Sequence, residues 1–200
     1  YDLLASGELQ AIDSYCAGYK DFLDGGKTER ECVERAVALA EHAGFRPFNR
    51  GDALKAGDKV YRVNRDKAVI LAVIGKKSLA EGANIGAAHI DSPRLDLKPN
   101  PLYETDDLAF LKTHYFGGVR KYQWVTIPLE LHGVVALKSG QVVRVSVGNG
   151  EGDPLFTIDD LLPHLGAEQS KKPLGEAIPA ENLNILVGSR PLAGDDGKDR

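Results

Sequence analysis

The chain has 200 residues, of which 42% are hydrophobic, so it can bury the core of one domain or of two small ones. Its 25 Lys and Arg against 29 Asp and Glu give a formal net charge of -4, which argues against nucleic acid and anionic lipid as partners. The longest apolar run, residues 68–75, is far too short to span a bilayer, and no basic-then-apolar signal opens the chain. We therefore expect a cytoplasmic protein without a membrane partner.

Two amphipathic helices are predicted at the start of the chain. The first runs from Gly7 to about Leu23, because apolar side chains recur there at three- and four-residue steps and form one stripe. The second begins at "TERE", where Thr28 can cap the first turn and Glu31 can return the hydrogen bond, and it ends near Gly44.

The rest of the sequence predicts mainly strands. "KVYRV" and "AVILAVIG" are expected to form two strands joined by "NRDK", and residues 83–90, "ANIGAAHI", a core strand that ends in an irregular turn. From Leu108 onward short β-rich stretches follow one another. Residues 156–169 are then expected to form a short helix, and "ENLNILVGSRPL" another strand. The fold class predicted is α/β followed by a β-rich part, with a boundary near Pro101 that separates residues 1–101 from 102–200.

The cysteines and the chain ends carry little functional signal. Cys16 and Cys32 fall on separate predicted helices without a second Cys or His at metal-ligand spacing, so buried or half-buried thiols are the favoured interpretation. The sequence contains no Met, opens on Tyr1 and stops at "GDDGKDR" without a closing structural element, so we expect both ends to be cut.

The stretch "AAHIDSPRLDLKPNP" holds the strongest candidate for chemistry, the pair His89 and Asp91. Residues two apart point to the same face of a strand, and a turn directly after it would gather both side chains at the carboxyl end of the strand. A carboxylate beside an imidazole can orient it for metal binding. On spacing alone, however, a His-x-Asp pair more often forms a surface hydrogen bond.

The other histidines are weaker candidates. His114, in "KTHYFGG", and His132 are typical of sheet positions, and His42 lies late in a helix, where a cation is favourable. Gly117 and Gly118 permit close backbone approach in a ligand-lining loop or in a plain hairpin. His164, in "LLPHLG", can be a rigidly held functional side chain, although a packed interface residue is the commoner interpretation. The glycine-rich phosphate-binding pattern GxxxxGK[ST], GxSxG, HExxH and CxxC are all absent from the sequence.

"AAHIDSPRLDLKPNP", "LKTHYFGGVRKYQW", "IPLELHGVV" and "FTIDDLLPHL" together resemble the bacterial branch of the aspartyl aminopeptidase family of zinc metallopeptidases over nearly the whole chain. The resemblance implies part of an α/β catalytic domain with two zinc ions per complete subunit and the start of an inserted β-rich dimerisation domain. It also implies peptide substrates and self-association into dimers and a dodecamer.

The resemblance assigns roles to three residues. By its H-[IT]-D-S-P motif, His89 corresponds to a zinc ligand and Asp91 to the carboxylate that orients it. By the segment around Pro163, His164 corresponds to a histidine that reaches the active site of a neighbouring subunit and helps to stabilise the transition state. The family's remaining zinc ligands and its general base lie beyond residue 200, so the chain matches roughly an amino-terminal half.

The chain departs from the family's pattern at one segment, and two alternative functions stay open. Many relatives have a Trp-Phe-Asp-Arg-type segment where this chain has Trp124, Val125, Thr126 and Ile127, which puts interface detail in doubt. As it stands, the 200-residue chain can be an inactive assembly or docking module, because one imidazole cannot hold two zinc ions. The complete enzyme can also be a related dinuclear aminopeptidase of another specificity. Selectivity for acidic amino-terminal residues would need cationic pocket residues, for which Lys112, Arg120 and Lys121 are candidates.

Overall fold

A computed structural model describes residues 3–190, and the chain divides into two compact units between Ser92 and Pro93. Pro101, where the sequence places the boundary, lies inside a continuous strand, Arg94–Thr105, so the units separate earlier in the chain. Within the described residues no helix combines the length and the apolar character that a membrane crossing needs.

The first unit is two helices followed by a small sheet. Its elements are α1 (Glu8–Gly25), α2 (Glu29–His42), β1 (Arg46–Pro47), β2 (Lys59–Asn64), β3 (Ala68–Val73) and a 3-10 turn (Leu79–Glu81). The sheet order is β1-β2-β3, with β1 parallel and β3 antiparallel to β2. Both predicted helices and both predicted strands are therefore confirmed.

The start of α2 is fixed by the capping box expected from the sequence. The Thr28 side chain accepts from the backbone N–H of Glu31, and the Glu31 carboxylate accepts from the backbone N–H of Thr28 at 2.8 Å. The helix buries Cys32, Val33 and Ala40, and it packs on β2 and β3. The core of the first unit is thus built from this helix and the β2–β3 hairpin.

Two expectations for the first unit are wrong. The Cys16 thiol is exposed rather than buried or half-buried. The apolar stripe of α1 forms as predicted, and its side chains Leu9, Ile12, Tyr19 and Leu23 are exposed. Residues 83–90 form no strand and are exposed almost throughout. That segment is rich in Ala and Gly, which have low strand propensity, and no strand of the described chain pairs with it.

The second unit is β-rich, as predicted. Its elements are β4 (Arg94–Thr105), β5 (Leu108–Phe116), a 3-10 turn (Lys121–Gln123), β6 (Leu131–Ala136), β7 (Val142–Val147), α3 (Leu174–Ala177), a 3-10 turn (Ala180–Asn182) and β8 (Ile185–Gly188). One antiparallel sheet has the order β4-β5-β8, and β6 pairs with β7 in a separate hairpin. Its core contains Val125, Ile158, Ile178, Leu183 and Ile185.

Residues 156–169 do not form the predicted helix. Phe156 and Thr157 make isolated bridges to Leu129 and Leu186, and turns follow them. Pro163 has no N–H to donate in the middle of the segment, which disfavours a regular helix there. His164 consequently lies in an exposed turn rather than within the predicted helix.

Candidate functional site

His89 lies in an irregular segment between the first 3-10 turn and β4, not at the end of a strand. The expected strand therefore does not bring His89 and Asp91 onto one face, yet the two residues do meet. The Nδ1 atom of His89 lies 2.9 Å from the carbonyl oxygen of Asp91 and 3.2 Å from its carboxylate oxygen Oδ1. The irregular backbone after Ile90, rather than a pleat, makes this contact.

These contacts decide which nitrogen of His89 can bind a metal. Both atoms near Nδ1 are hydrogen-bond acceptors, so in the neutral ring Nδ1 carries the hydrogen and Nε2 carries the lone pair. The His89 side chain is 82% exposed, which leaves Nε2 accessible. An imidazole held at one nitrogen by a carboxylate or a carbonyl, with its other nitrogen free, is the usual arrangement of a ligand histidine. The chemistry of the pair thus fits a zinc site.

A complete metal site is not assembled in the part of the chain that the structure describes. No group of three or more His, Cys, Asp or Glu side chains converges there to hold a metal ion. Zinc needs three or four protein ligands, so His89 can supply only one of them. The assignment of His89 and Asp91 stays a prediction.

His164 is surrounded by exposed apolar side chains. Leu161, Leu162 and Leu165 are 54%, 66% and 70% exposed. The turn is closed by Asp160, whose carboxylate accepts from the backbone N–H of Leu161 and from the amide of Gln169. This segment therefore presents a histidine among leucines on the surface of the second unit, and its catalytic role also stays a prediction.

The remaining histidines have ordinary local environments. His42 lies in the last turn of α2, and His114 lies on β5 with its ring 5.5 Å from that of Tyr115. The Nε2 atom of His132 is 2.8 Å from a carboxylate oxygen of Glu130. The loop that contains Gly117 and Gly118 makes the close backbone approach that two glycines permit. Gly117 has φ of +78°, and an added Cβ there would lie 3.4 Å from the Cα of Pro93.

Sequence reasoning missed a pocket in the second unit. A cavity of about 290 Å³ is lined by the segment around the second 3-10 turn and by the start of α3. Arg120 and Lys121, which the sequence offered as candidate cationic residues, line it together, whereas Lys112 lies over the ring of Tyr103. About fifty residues separate the two segments, so no local motif could have indicated the pocket.

Comparison with known proteins decides the family. The model of the family described as "Aminopeptidase I zinc metalloprotease (M18)" matches residues 22–199. The chain belongs to the M18 family. Among curated M18 relatives, the probable M18 family aminopeptidase 1 of Clostridium acetobutylicum is 50% identical over 204 aligned positions, covering 100% of this chain and 43% of the relative. The corresponding protein of Thermotoga maritima is 42% identical, over 94% of this chain and 41% of its own length.

Solved structures of M18 members share the fold. The aminopeptidase of Thermotoga maritima matches with a TM-score of 0.87 and 40% identity, over 94% of this chain and 41% of that one. Aminopeptidase I of Borrelia burgdorferi matches with a TM-score of 0.81 and 38% identity, over 95% of this chain and 42% of that one. The chain thus spans less than half the length of its M18 relatives, and the mixed α/β fold corresponds to part of theirs.

Proposed function

We propose that the complete protein to which this chain belongs is a zinc-dependent aminopeptidase that hydrolyses amino-terminal residues from peptides. The observation that carries the proposal is the geometry of His89 in a chain of the M18 family, with Nδ1 engaged by Asp91 and Nε2 accessible. The proposal includes two zinc ions per complete subunit, with the other ligands outside these 200 residues.

The proposed roles follow from what each side chain can do. His89 contributes one zinc ligand through Nε2, and Asp91 holds the ring in the required tautomer. Bound zinc supplies Lewis-acid polarisation of the scissile carbonyl and lowers the pKa of a water molecule. His164 from a second subunit donates a hydrogen bond to the negative charge that develops on the carbonyl oxygen.

The zinc assignment is tested by His89→Ala in the full-length protein. Removing this proposed ligand is expected to abolish one of the two metal sites, so the zinc content per subunit falls by about one. Elemental analysis after dialysis measures it. His42→Ala, which removes a histidine from the end of α2, serves as the matched control and keeps its zinc. An unchanged zinc content in His89→Ala would contradict the assignment.

His164→Ala separates catalysis from metal binding. The variant is expected to keep its zinc and to lose turnover by about 100-fold, the usual effect of removing one donor to a developing oxyanion. Retained full turnover in His164→Ala would remove the residue from the mechanism.

We also propose self-association into dimers and a dodecamer, because the exposed leucines around His164 fit an interface. Sedimentation of the full-length protein checks the oligomer size.

Two alternatives are decided by activity measurements. In one outcome, residues 1–200 alone bind little zinc and show no activity, whereas the longer protein binds zinc and hydrolyses peptide. With that result, the isolated chain is an assembly module only. Assays of the longer protein with aspartyl, glutamyl and leucyl substrates decide between an aspartyl aminopeptidase, which the sequence resembles, and a related enzyme of other specificity. A cytoplasmic location is part of the proposal and is checked by cell fractionation.

A further inference from the structure

His164 lies near the middle of residues 160–169, which the structure describes throughout and which form turns but no helix or strand. We call this segment the His164 loop. Apart from Gly166 and Gln169, every residue of the loop is exposed. Packing against the rest of the described chain therefore does little to fix its conformation, and hydrogen bonds within the loop are left to order it.

One side-chain contact closes the His164 loop at its two ends. The carboxylate oxygen Oδ1 of Asp160 accepts from the side-chain amide of Gln169 at 2.9 Å. The same oxygen accepts from the backbone N–H of Leu161 at 2.8 Å. His164 lies between the two partners in the sequence, so the contact joins the first residue of its loop to the last.

Backbone hydrogen bonds shape the loop inside this contact. The N–H groups of Leu165 and Gly166 both donate to the carbonyl oxygen of Leu162, at 2.8 and 2.9 Å. These two bonds close a turn that contains Pro163 and His164. The ring of Pro163 fixes its own φ, which removes one backbone rotation directly before His164. The position of the imidazole therefore follows the position of this turn.

The contact of Asp160 joins the exposed turn to a well-packed base. Ile158 is 1% exposed, and its carbonyl oxygen accepts from the backbone N–H of Thr126 at 2.8 Å. At the other end Gln169 is half-buried and lies over Gly166, where an added Cβ would be 3.3 Å from the Oε1 atom of Gln169. The chain is thus held just before the loop begins and again where it ends.

We infer that Asp160 and Gln169 are positioning residues for His164, whose proposed catalytic role this inference presupposes. A donor to a developing oxyanion acts only from a closely defined position, because its hydrogen bond needs a heavy-atom distance of about 2.7–3.1 Å. An exposed loop that samples several conformations would hold the imidazole there for part of the time only, and turnover would fall with that fraction. The contact between Asp160 and Gln169 raises the fraction by closing the loop.

The contact needs an acceptor at position 160 rather than a negative charge. An asparagine there offers a carbonyl oxygen with two lone pairs, which can accept from both Leu161 and Gln169. Asp160→Asn and Asp160→Ala therefore separate the geometry of the loop from its charge. Asp159→Ala removes the neighbouring exposed aspartate and is the matched control.

Steady-state kinetics of the full-length protein test the inference, with whichever of the aspartyl, glutamyl and leucyl substrates it hydrolyses. Asp160→Ala and Gln169→Leu are each expected to lower kcat about fivefold, since one ordinary hydrogen bond shifts a conformational equilibrium by about that factor. KM, zinc content and sedimentation coefficient are expected to stay at wild-type values, because substrate binding, metal ligands and assembly are left intact. Asp160→Asn and Asp159→Ala are expected to keep wild-type turnover, and equal thermal unfolding midpoints verify that the variants fold.

A double variant identifies the group through which the contact acts. If Asp160 only positions His164, its loss has no further effect once His164 is replaced by alanine. His164→Ala and the double variant Asp160→Ala/His164→Ala are therefore expected to have the same kcat. A contact that merely stabilises the protein would instead lower kcat by the same factor in both backgrounds.

The outcomes separate this inference from the proposed function. A loss of kcat in Asp160→Ala that Asp160→Asn restores and that disappears without His164 supports the inference. Wild-type kcat in Asp160→Ala, an equal loss in Asp160→Asn, or an equal loss with and without His164 overturns it. A smaller oligomer in Asp160→Ala also overturns it, because the contact would then serve the subunit interface. Full turnover in His164→Ala overturns the proposed role of His164 itself, and the inference falls with that role.

Discussion

The contact between His89 and Asp91 allows the effect of one substitution to be worked out in advance. We predict that Asp91→Asn in the full-length protein weakens zinc binding at the His89 site without abolishing it. The side chain of Asp91 stabilises the tautomer of His89 that presents the Nε2 lone pair. An asparagine can still accept a hydrogen bond from Nδ1, but it lacks the negative charge that raises the basicity of the imidazole.

The expected size of the effect follows from the two distances. Loss of an orienting partner typically costs 10- to 100-fold in metal affinity. Here the shorter contact of Nδ1, 2.9 Å, is to the backbone carbonyl of Asp91, which every substitution keeps, and the carboxylate oxygen is farther away at 3.2 Å. The loss should therefore lie at the low end, about tenfold or about 1.4 kcal/mol.

Competition against a chromophoric zinc chelator measures this affinity directly. His89→Ala sets the limit for complete loss of the ligand, and Asp96→Asn, which changes an aspartate on β4 paired with Arg94, is the control for a lost surface carboxylate. A loss above about 100-fold in Asp91→Asn would mean that the carboxylate, not the carbonyl, orients the ring or binds metal itself. An affinity equal to that of wild type would remove Asp91 from the site.

Three further predictions concern stability and are measured by chemical denaturation of the full-length protein. Leu183→Ala should cost about 3 kcal/mol, because Leu183 is 1% exposed and three lost carbons at about 0.8 kcal/mol each leave a cavity, whereas Leu155→Ala, at 63% exposure, should cost under about 0.5 kcal/mol. A similar cost for both would refute the placement of the core. Thr126→Gly should stabilise by about 1 kcal/mol, because a β-branched residue with φ of +62° is strained, and a destabilisation would contradict that backbone. The backbone N–H groups of Gly150 and Gly148 lower the pKa of Asp153, so its charge stabilises the fold above the ordinary aspartate pKa of about 3.9 and this contribution is lost as the pH falls through the lowered value. Asp153→Asn should therefore be less stable at pH 7, with a difference from wild type that narrows in acid, and a constant difference would contradict this cause.

Local signals in the sequence predicted much of the fold. The capping box at Thr28 uses atoms three residues apart, so α2 could be located before any packing was known. The hairpin between β2 and β3 turns at "NRDK", where Arg65 and Asp66 have positive φ, and its strands are rich in β-branched residues. In these places short-range chemistry and the final structure agree.

The failures occur where the outcome depends on distant partners. Residues 83–90 are apolar enough for a strand, but a strand needs a neighbour, and the sequence does not say whether one is present. The stripe on α1 predicts the helix correctly and says nothing about what covers Leu9 or Ile12, which are exposed here. The cavity of Arg120 and Lys121 is also lined by the start of α3, and no spacing rule connects positions so far apart.

The proposed zinc site has one part that depends on neighbouring residues and another part that depends on distant ones. The orientation of the His89 ring is set locally, because Asp91 lies two residues away and contacts Nδ1 through both its backbone carbonyl and its carboxylate. That part of the site is encoded in a few neighbouring residues, which is why a short motif could indicate it. No cluster of three possible donors forms within the described residues, so the further ligands that we propose could not be indicated by a local motif. A ligand oriented by its own neighbours loses little freedom when further donors join it, so His89 can be prepared for metal binding before the rest of the site is assembled.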